Sequence, residues 1–328
     1  MADERFNADG LVRSEGYART MAEAVLPRLR ACRTDGTIPG ADGRPLFVSR
    51  FDAASPRGTV VIVHGFTECA DKFAEIIHSL LSNGLSVLAY DQRGHGRSWR
   101  AEGLGDLSLT HVDRFGEYVG DLEQVVARAL AGMPRPWTLF AHSMGGAVSA
   151  LFLESHADVF ARAVLCAPMI APNLAGIPAA LGKVICAVPK ALGRGRKRMF
   201  ASRPYAGPED FDTSCATGRA RFDWFDALKA ATPEFQNNGP TYGWTLEAIN
   251  VTAKILAPGA VERIAAAVRV YTAEDDGSVL PGPQARFAER LRDGRRALVK
   301  GSRHEIYRSG DDVLFPWWHE VLRFLLEA

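Results

Sequence analysis

The chain has almost no net charge to offer a partner. Its 39 Lys and Arg stand against 38 Asp and Glu, a formal balance of +1 over 328 residues. A polyanion needs a basic face, so no nucleic-acid partner is expected. Cysteine is scarce and scattered: Cys32, Cys69, Cys166, Cys186 and Cys215 form no C-x-x-C pair. That argues against a disulfide framework or a zinc site and suits a reducing compartment. The first ten residues lack a basic start followed by an apolar run, so no secretory leader is expected. No uninterrupted apolar run approaches the roughly 20 residues of a membrane span. The longest, over 170–188, is broken by prolines, Asn173 and Lys183. Neither G-x-G-x-x-G nor G-x-x-x-x-G-K-[ST] occurs, which speaks against a nucleotide site. The expectation is a cytoplasmic protein without cofactor or metal, able to lie peripherally on the inner face of a membrane through one local surface.

What is present has a strong rhythm. Apolar, β-branched runs at 59–63, 85–90, 137–141 and 163–166 suit strands buried on both faces. Helical spacing at 73–81, 115–130 and 144–156 separates them, and a further helix is expected over 14–30 with Ser14 as its cap. Residues 45–51 read as a strand, while Gly36, Pro39, Gly40 and Gly43 break the chain before it. This alternation predicts an α/β fold with a doubly wound, mostly parallel sheet. From 170 to 262 the rhythm stops. That stretch holds helical patterns and the basic cluster Arg194, Arg196, Lys197 and Arg198, and is expected to be an inserted helical cap. The rhythm resumes with strands at 268–273 and 296–299 and helices at 284–291 and 311–326. The expected division is therefore 1–169 and 263–328 as two parts of one core, with 170–262 as the cap. Such an architecture does not by itself define an activity.

Chemistry enters at Ala141-His142-Ser143-Met144-Gly145-Gly146. A strand running into a small-residue turn and then a helix is the setting of a nucleophile elbow, G-x-S-x-G, here with Ala141 in the first glycine position. Ser143 is the candidate nucleophile; the plainer alternative is a serine capping a helix. In such an elbow one oxyanion donor is the backbone N–H after the nucleophile, Met144, and the other lies after an early central strand. His64-Gly65-Phe66-Thr67-Glu68 is that loop, with Phe66 as donor. His142 is expected to pack or to support the site from behind rather than to act as the base, because adjacent side chains leave the turn in different directions. His64 is expected to bond within its own loop, and Asp91, Arg93 and His95 to organise the glycine-rich run after strand 85–90. The acid and the base follow the nucleophile in chain order. His304, after the last strand, is the candidate base; His319 falls in the final helix and is expected to pack. Glu274, Asp275 and Asp276 follow the preceding strand. Asp276, at the turn before Gly277, is preferred, with Asp275 and Glu274 open.

These residues together resemble the lysophospholipase L2 and monoacylglycerol-lipase-like branch of the α/β-hydrolases. The likeness is carried by His64-Gly65 with Glu68, the run from Asp91 to Ser98, His111 to Phe115 with Tyr118 and Asp121, the elbow, Ala167-Pro168-Met169, Gly239 to Trp244, Thr272 to Asp276, and His304-Glu305. The resemblance implies Ser143 as nucleophile, Asp276 as acid, His304 as base and backbone donors at Phe66 and Met144. It also implies a lid over an apolar pocket, no cofactor, and an ester with one acyl chain as substrate, a lysophospholipid or a monoacylglycerol. Phe66-Thr67 departs from the small residues that monoacylglycerol lipases often show there. Competing readings are a general carboxylesterase or lactonase for small soluble esters, and a non-catalytic binding protein on the same fold. Dehalogenases and epoxide hydrolases need an aspartate where Ser143 stands. The basic cluster could meet a phosphate headgroup or an anionic membrane, or simply be solvated.

Overall fold

A computed structural model describes residues 3–327. Its strands are β1 (Arg33–Pro39), β2 (Pro45–Phe51), β3 (Gly58–Val63), β4 (Leu85–Tyr90), β5 (Leu109–Thr110), β6 (Trp137–His142), β7 (Arg162–Cys166), β8 (Gly239–Pro240), β9 (Ala267–Asp275) and β10 (Gly294–Arg303). Eight of them form one sheet in the order β1-β2-β4-β3-β6-β7-β9-β10. β2 runs antiparallel to both its neighbours, and every other pairing in that sheet is parallel. β5 and β8 make a separate short pairing. The helices are α1 (Tyr17–Thr20), continued through a π-turn into α2 (Leu26–Cys32), then α3 (Ala74–Ser82), α4 (Gly116–Gln124), α5 (Met144–Ser155), α6 (Ala179–Pro189), α7 (Arg219–Ala231), α8 (Tyr242–Ile255), α9 (Pro281–Glu289) and α10 (Asp311–Leu326).

The central strands are apolar along their whole length because both faces are covered. Successive side chains alternate between the faces. Val61, Val63, Leu88, Leu139 and Leu165 pack with Leu122 of α4, Val148 and Leu153 of α5, and Val251 of α8. Val60, Ile62, Val87, Phe140 and Val164 pack with Ile76 and Leu80 of α3 and with Trp318 and Leu322 of α10. The fold is thus the expected doubly wound α/β sheet.

Several local expectations need correction. Ser14 does not cap the first helix: its hydroxyl donates to Asp311 Oδ1 at 2.7 Å, and the helix starts at Tyr17 after Gly16. β1 lies where only breaks were expected. Its sequence is polar because it is an exposed edge paired on one side only, and polar residues blunt such an edge. α9 begins earlier than expected, at Pro281, since proline fits the first helical turn. β10 runs longer than 296–299, through a register shift between Val299 and Arg303 that carries the chain to His304.

Residues 170–262 connect β7 to β9 and contain α6, α7 and α8. One arginine pins α7 to the core. Arg221 donates from Nε and Nη2 to the two Glu75 oxygens on α3, each at 2.9 Å, and from Nη1 to Asp311 Oδ1 at 2.8 Å. Nη2 also reaches the Val12 carbonyl at 2.7 Å. The side chain is only 1% exposed, so its loss strands a buried carboxylate. Arg221→Met is therefore expected to lower unfolding free energy by about 3–5 kcal/mol, read from urea midpoints.

Candidate active site

β6 ends at His142 and α5 starts at Met144, leaving Ser143 between them at φ 50° and ψ −116°. This left-handed backbone is costly for a residue with a Cβ. Neighbours hold it there: Ser143 N donates to the Cys166 carbonyl at 3.1 Å, and the Ser143 carbonyl accepts from Gly146 N at 2.9 Å and Met169 N at 2.8 Å. Glycines follow because nothing larger fits. A Cβ on Gly145 would lie 2.0 Å from the Val63 carbonyl oxygen, and one on Gly146 would lie 2.5 Å from Pro168 Cβ. Ala141, by contrast, is an interior strand residue whose methyl joins the core. The motif's first glycine is dispensable here, and the last is not.

The structure brings Ser143, His304 and Asp276 together. Ser143 Oγ and His304 Nε2 are 2.8 Å apart, and His304 Nδ1 lies 2.9 Å from Asp276 Oδ2. The other Asp276 oxygen accepts from Ser278 N at 2.9 Å and Val279 N at 3.0 Å. Burial alone would raise the Asp276 carboxyl, but the His304 hydrogen bond and these two N–H groups hold it below its ordinary value. The other two acids turn elsewhere. Asp275 is exposed and 3.9 Å from Arg303, and Glu274 accepts from Gly301 N at 2.8 Å. The parallel strands β3, β6, β9 and β10 all end at this edge, which is why residues far apart in sequence meet.

After β3 comes the Phe66 loop. A Cβ on Gly65 would come within 3.0 Å of Ser143 Cβ, so glycine lets the loop lie against the serine. The Phe66 backbone stands in that loop, and Met144 supplies the first N–H of α5, a position with no intrahelical partner. The Phe66 ring packs against Trp244 of α8, tilted by 35° with centroids 4.1 Å apart. His64 Nε2 accepts from Gln92 N at 2.9 Å, and its Nδ1 donates to the Gly65 carbonyl at 2.7 Å; burial lowers its pKa, so the ring stays neutral. Arg93 forks onto Asp121 at 2.6 and 2.7 Å, and Asp91 accepts from Ala70 N and Arg97 N at 2.7 and 2.8 Å. These residues shape the loops, as their turn-rich setting suggests.

Sequence reasoning passed over a buried charge network beneath the site. Glu68 accepts from Gly65 N at 2.5 Å, from His142 Nδ1 at 2.8 Å and from the Tyr307 hydroxyl, with Lys72 Nζ 3.0 Å away. Lys72 and Arg308 each reach Glu305 at 2.5 Å. Burial would raise the Glu68 carboxyl, but His142 and Lys72 hold it well below the carboxylate range. The one sequence signal was the spacing of Glu68 and Lys72, four residues apart. His319 is a correction: it does not pack but is 60% exposed and sits 3.1 Å from Asp9.

The serine opens into a cavity of about 310 Å³, lined by Phe66, Met169, Leu174, Trp244, Ala248 and Val279. Cys215 also lines it, but burial pushes that thiol up to about 11, so it offers no thiolate. Among the described residues, no group of three His, Cys, Asp or Glu side chains is arranged to hold a metal ion.

A sheet of this order, with a serine on a strained strand-to-helix turn backed by histidine and carboxylate, defines a serine hydrolase of the α/β-hydrolase fold. The chain belongs to the Hydrolase_4 family, described as serine aminopeptidase, S33, whose model matches residues 54–311. It is 32% identical over 311 residues to lysophospholipase L2 of Escherichia coli (strain K12), covering 89% of this chain and 87% of that protein. It is 31% identical over 163 residues to the monoglyceride lipase of Mus musculus, covering 47% of this chain and 50% of that protein. A solved soluble variant of the monoglyceride lipase of Saccharomyces cerevisiae, in complex with a substrate analog, shares the fold. Its TM-score is 0.70 at 19% identity, over 89% of this chain and 95% of that one.

The buried network carries a pH signature. Burial opposes the Glu305 charge, but Lys72 and Arg308 outweigh it and bring its pKa from 4.5 to about 2. A carboxylate depressed on folding stabilises fully above its unfolded pKa, and that contribution is lost as pH falls through the folded one. Stability is expected to hold down to about pH 4.5 and to fall toward about pH 2. Glu305→Gln should be less stable at neutral pH and should show a flatter acid decline, both measured by urea unfolding across that range.

Proposed function

We propose that Ser143, His304 and Asp276 form the catalytic triad of an esterase for single-acyl lipids, a lysophospholipid or a monoacylglycerol. The supporting observation is the Ser143–His304–Asp276 hydrogen-bond chain at the floor of an apolar cavity. Ser143 Oγ attacks the ester carbonyl while His304 Nε2 takes its proton, and Asp276 holds the resulting imidazolium. The oxyanion accepts from the backbone N–H groups of Phe66 and Met144. His304 then protonates the departing alcohol, leaving an acyl-serine. A water deprotonated by His304 attacks it, and His304 returns that proton to Ser143 Oγ as the acyl bond breaks, freeing the fatty acid. Residues 170–262 serve as the cap, and the cavity wall built by Leu174, Trp244 and Ala248 receives the acyl chain. The names of the E. coli and mouse relatives support the lipid-ester class.

Ser143→Ala is expected to fold normally and to lose about 10⁴-fold or more in kcat. An active purified variant would overturn the triad. A cavity that binds acyl carbons should raise kcat/KM by about threefold to fourfold per added CH2 until it is filled, since each is worth about 0.8 kcal/mol. Rates flat or falling with chain length would favour a small-ester esterase.

The proposal extends to where the substrate is met. No helix among the described residues is long and apolar enough to cross a membrane. Yet between Asp158 and Glu209 the chain has no acidic residue, while 170–208 holds seven basic ones. Three of these are answered by acids elsewhere: Arg198 by Asp106, Arg196 by Asp113 and Lys190 by Glu247. Beside them Leu181, Val184 and Val188 leave α6 about half exposed, followed by Leu192 at 70%. An apolar stripe in a basic setting suits peripheral contact with an anionic bilayer, here from the cytoplasmic side. The protein should co-sediment with anionic vesicles, release in high salt, and bind weakly when Val184 and Val188 are both changed to Asp. Equal binding to neutral vesicles would count against this contact.

A further inference from the structure

His142 precedes the nucleophile and has no role in the steps above, yet both its ring nitrogens are committed. Nδ1 lies 2.8 Å from Glu68 Oε2, and Nε2 lies 3.1 Å from the backbone carbonyl of His304. Both partners are acceptors. A neutral imidazole carries one N–H and would turn a lone pair on one of them, so only the doubly protonated ring satisfies both. The ring is 2% exposed and cannot turn to water instead.

The charges around it agree. Glu68 faces it from the loop after β3, with Lys72 behind that carboxylate. Glu305 and Tyr307 face it from the segment after β10, and the His304 ring is 4.8 Å away between centroids. Cys166 of β7 is its register partner, and the thiol there is neutral because burial raises it well above its ordinary value. Burial opposes a charged His142, but the Glu68 carboxylate outweighs it and raises the ring's pKa above its ordinary value.

The geometry points to His142 as a permanently protonated positioning residue, whose two N–H groups tie the backbone of His304 to the Glu68 carboxylate. The same Glu68 oxygen accepts from Gly65 N, one residue before the Phe66 donor. One buried ion pair thereby sets the base and the oxyanion loop against each other across the nucleophile. Neither residue touches the reacting atoms. The inference rests on His304 being the base.

Glu68→Gln is the discriminating variant. An amide oxygen in place of Oε2 can still accept from Gly65 N and His142 Nδ1, and Lys72 keeps Glu305, while the charge that sustains the imidazolium goes together with the other oxygen's contacts to Tyr307 and Lys72. Relative to the parent enzyme, its kcat is expected to fall about tenfold or more near pH 8.5, and the deficit should persist through neutral pH, because burial no longer opposed by the Glu68 charge keeps the His142 ring neutral there. KM should change by less than about twofold. Parent-like kcat in Glu68→Gln near pH 8.5 would overturn the inference. Nitrogen-15 NMR of histidine-labelled wild type gives an independent reading that needs no variant to fold. Both His142 ring nitrogens should report as protonated near pH 8, and a neutral ring would overturn the inference. Activity surviving in Ser143→Ala would instead remove the triad reading and leave the NMR result standing.

Discussion

The backbone of Ser143, held at φ 50° and ψ −116°, is the constraint on which the site depends. Such a conformation costs about 1–3 kcal/mol and persists only where its surroundings over-determine it. Here the surroundings are the middle of the sheet. β6 is paired on one side to β3 and on the other to β7, so the strand leading into the turn has no freedom to twist away. Gly145 lets α5 press onto the Val63 carbonyl at the end of β3, and Gly146 lets it pass Pro168 after β7. The elbow is therefore fixed by the same two strands whose following loops build its neighbourhood. One loop places Phe66 beside the serine, and the other supplies the Met169 N–H that holds the Ser143 carbonyl.

A rigid turn does not by itself orient His304, which arrives from the far end of the chain. That task falls to buried charge. Lys72, Glu68, Glu305, Arg308 and His142 lie within one connected set of contacts, joining the loop after β3, the start of α3's segment, the end of β6 and the segment after β10. Buried ion pairs are poor sources of stability, because desolvation offsets much of their attraction. Their directionality is the gain. Each carboxylate is held by several donors at once, so the loops carrying them have one mutual arrangement.

The sheet was legible because burial on two faces leaves an unmistakable pattern, runs such as Val60 to Val63 with no polar interruption. The serine was legible because steric crowding leaves only small residues after it. Sequence favoured Asp276 but left Asp275 and Glu274 open, since the choice depends on which carboxylate the turn at Ser278 and Val279 aims inward. β1 was hidden because an edge strand is selected to look like a loop. Glu68 and His142 were visible as letters but not as partners, 74 positions apart. Their contact exists only once β3 and β6 are neighbours. The Gly239-Pro240-Thr241 stretch gained its meaning the same way: Thr241 caps α8 and meets His111, which sets Trp244 against Phe66.

The segment 170–262 poses a different physical problem. Long irregular stretches expose carbonyls that no helix or strand satisfies, and buried carbonyls need partners. Arginines of the core answer them. Arg303 Nη1 donates to the Asp212 and Ser214 carbonyls at 3.0 and 3.1 Å, Arg100 to that of Glu234 at 2.5 Å, and Arg290 to that of Ala257 at 2.8 Å. A planar fork with five donors can serve two carbonyls and a carboxylate together, which an ammonium does with less geometric control. The composition fits that demand: 32 of the 39 basic residues are arginine. Side chains of that segment, Leu174, Trp244 and Ala248, complete the cavity beside Phe66, Met169 and Val279 of the core. Sheet order thus fixes the surroundings of the serine, while arginine contacts, to main chain and through Arg221 to Glu75 and Asp311, fix the segment that completes the cavity.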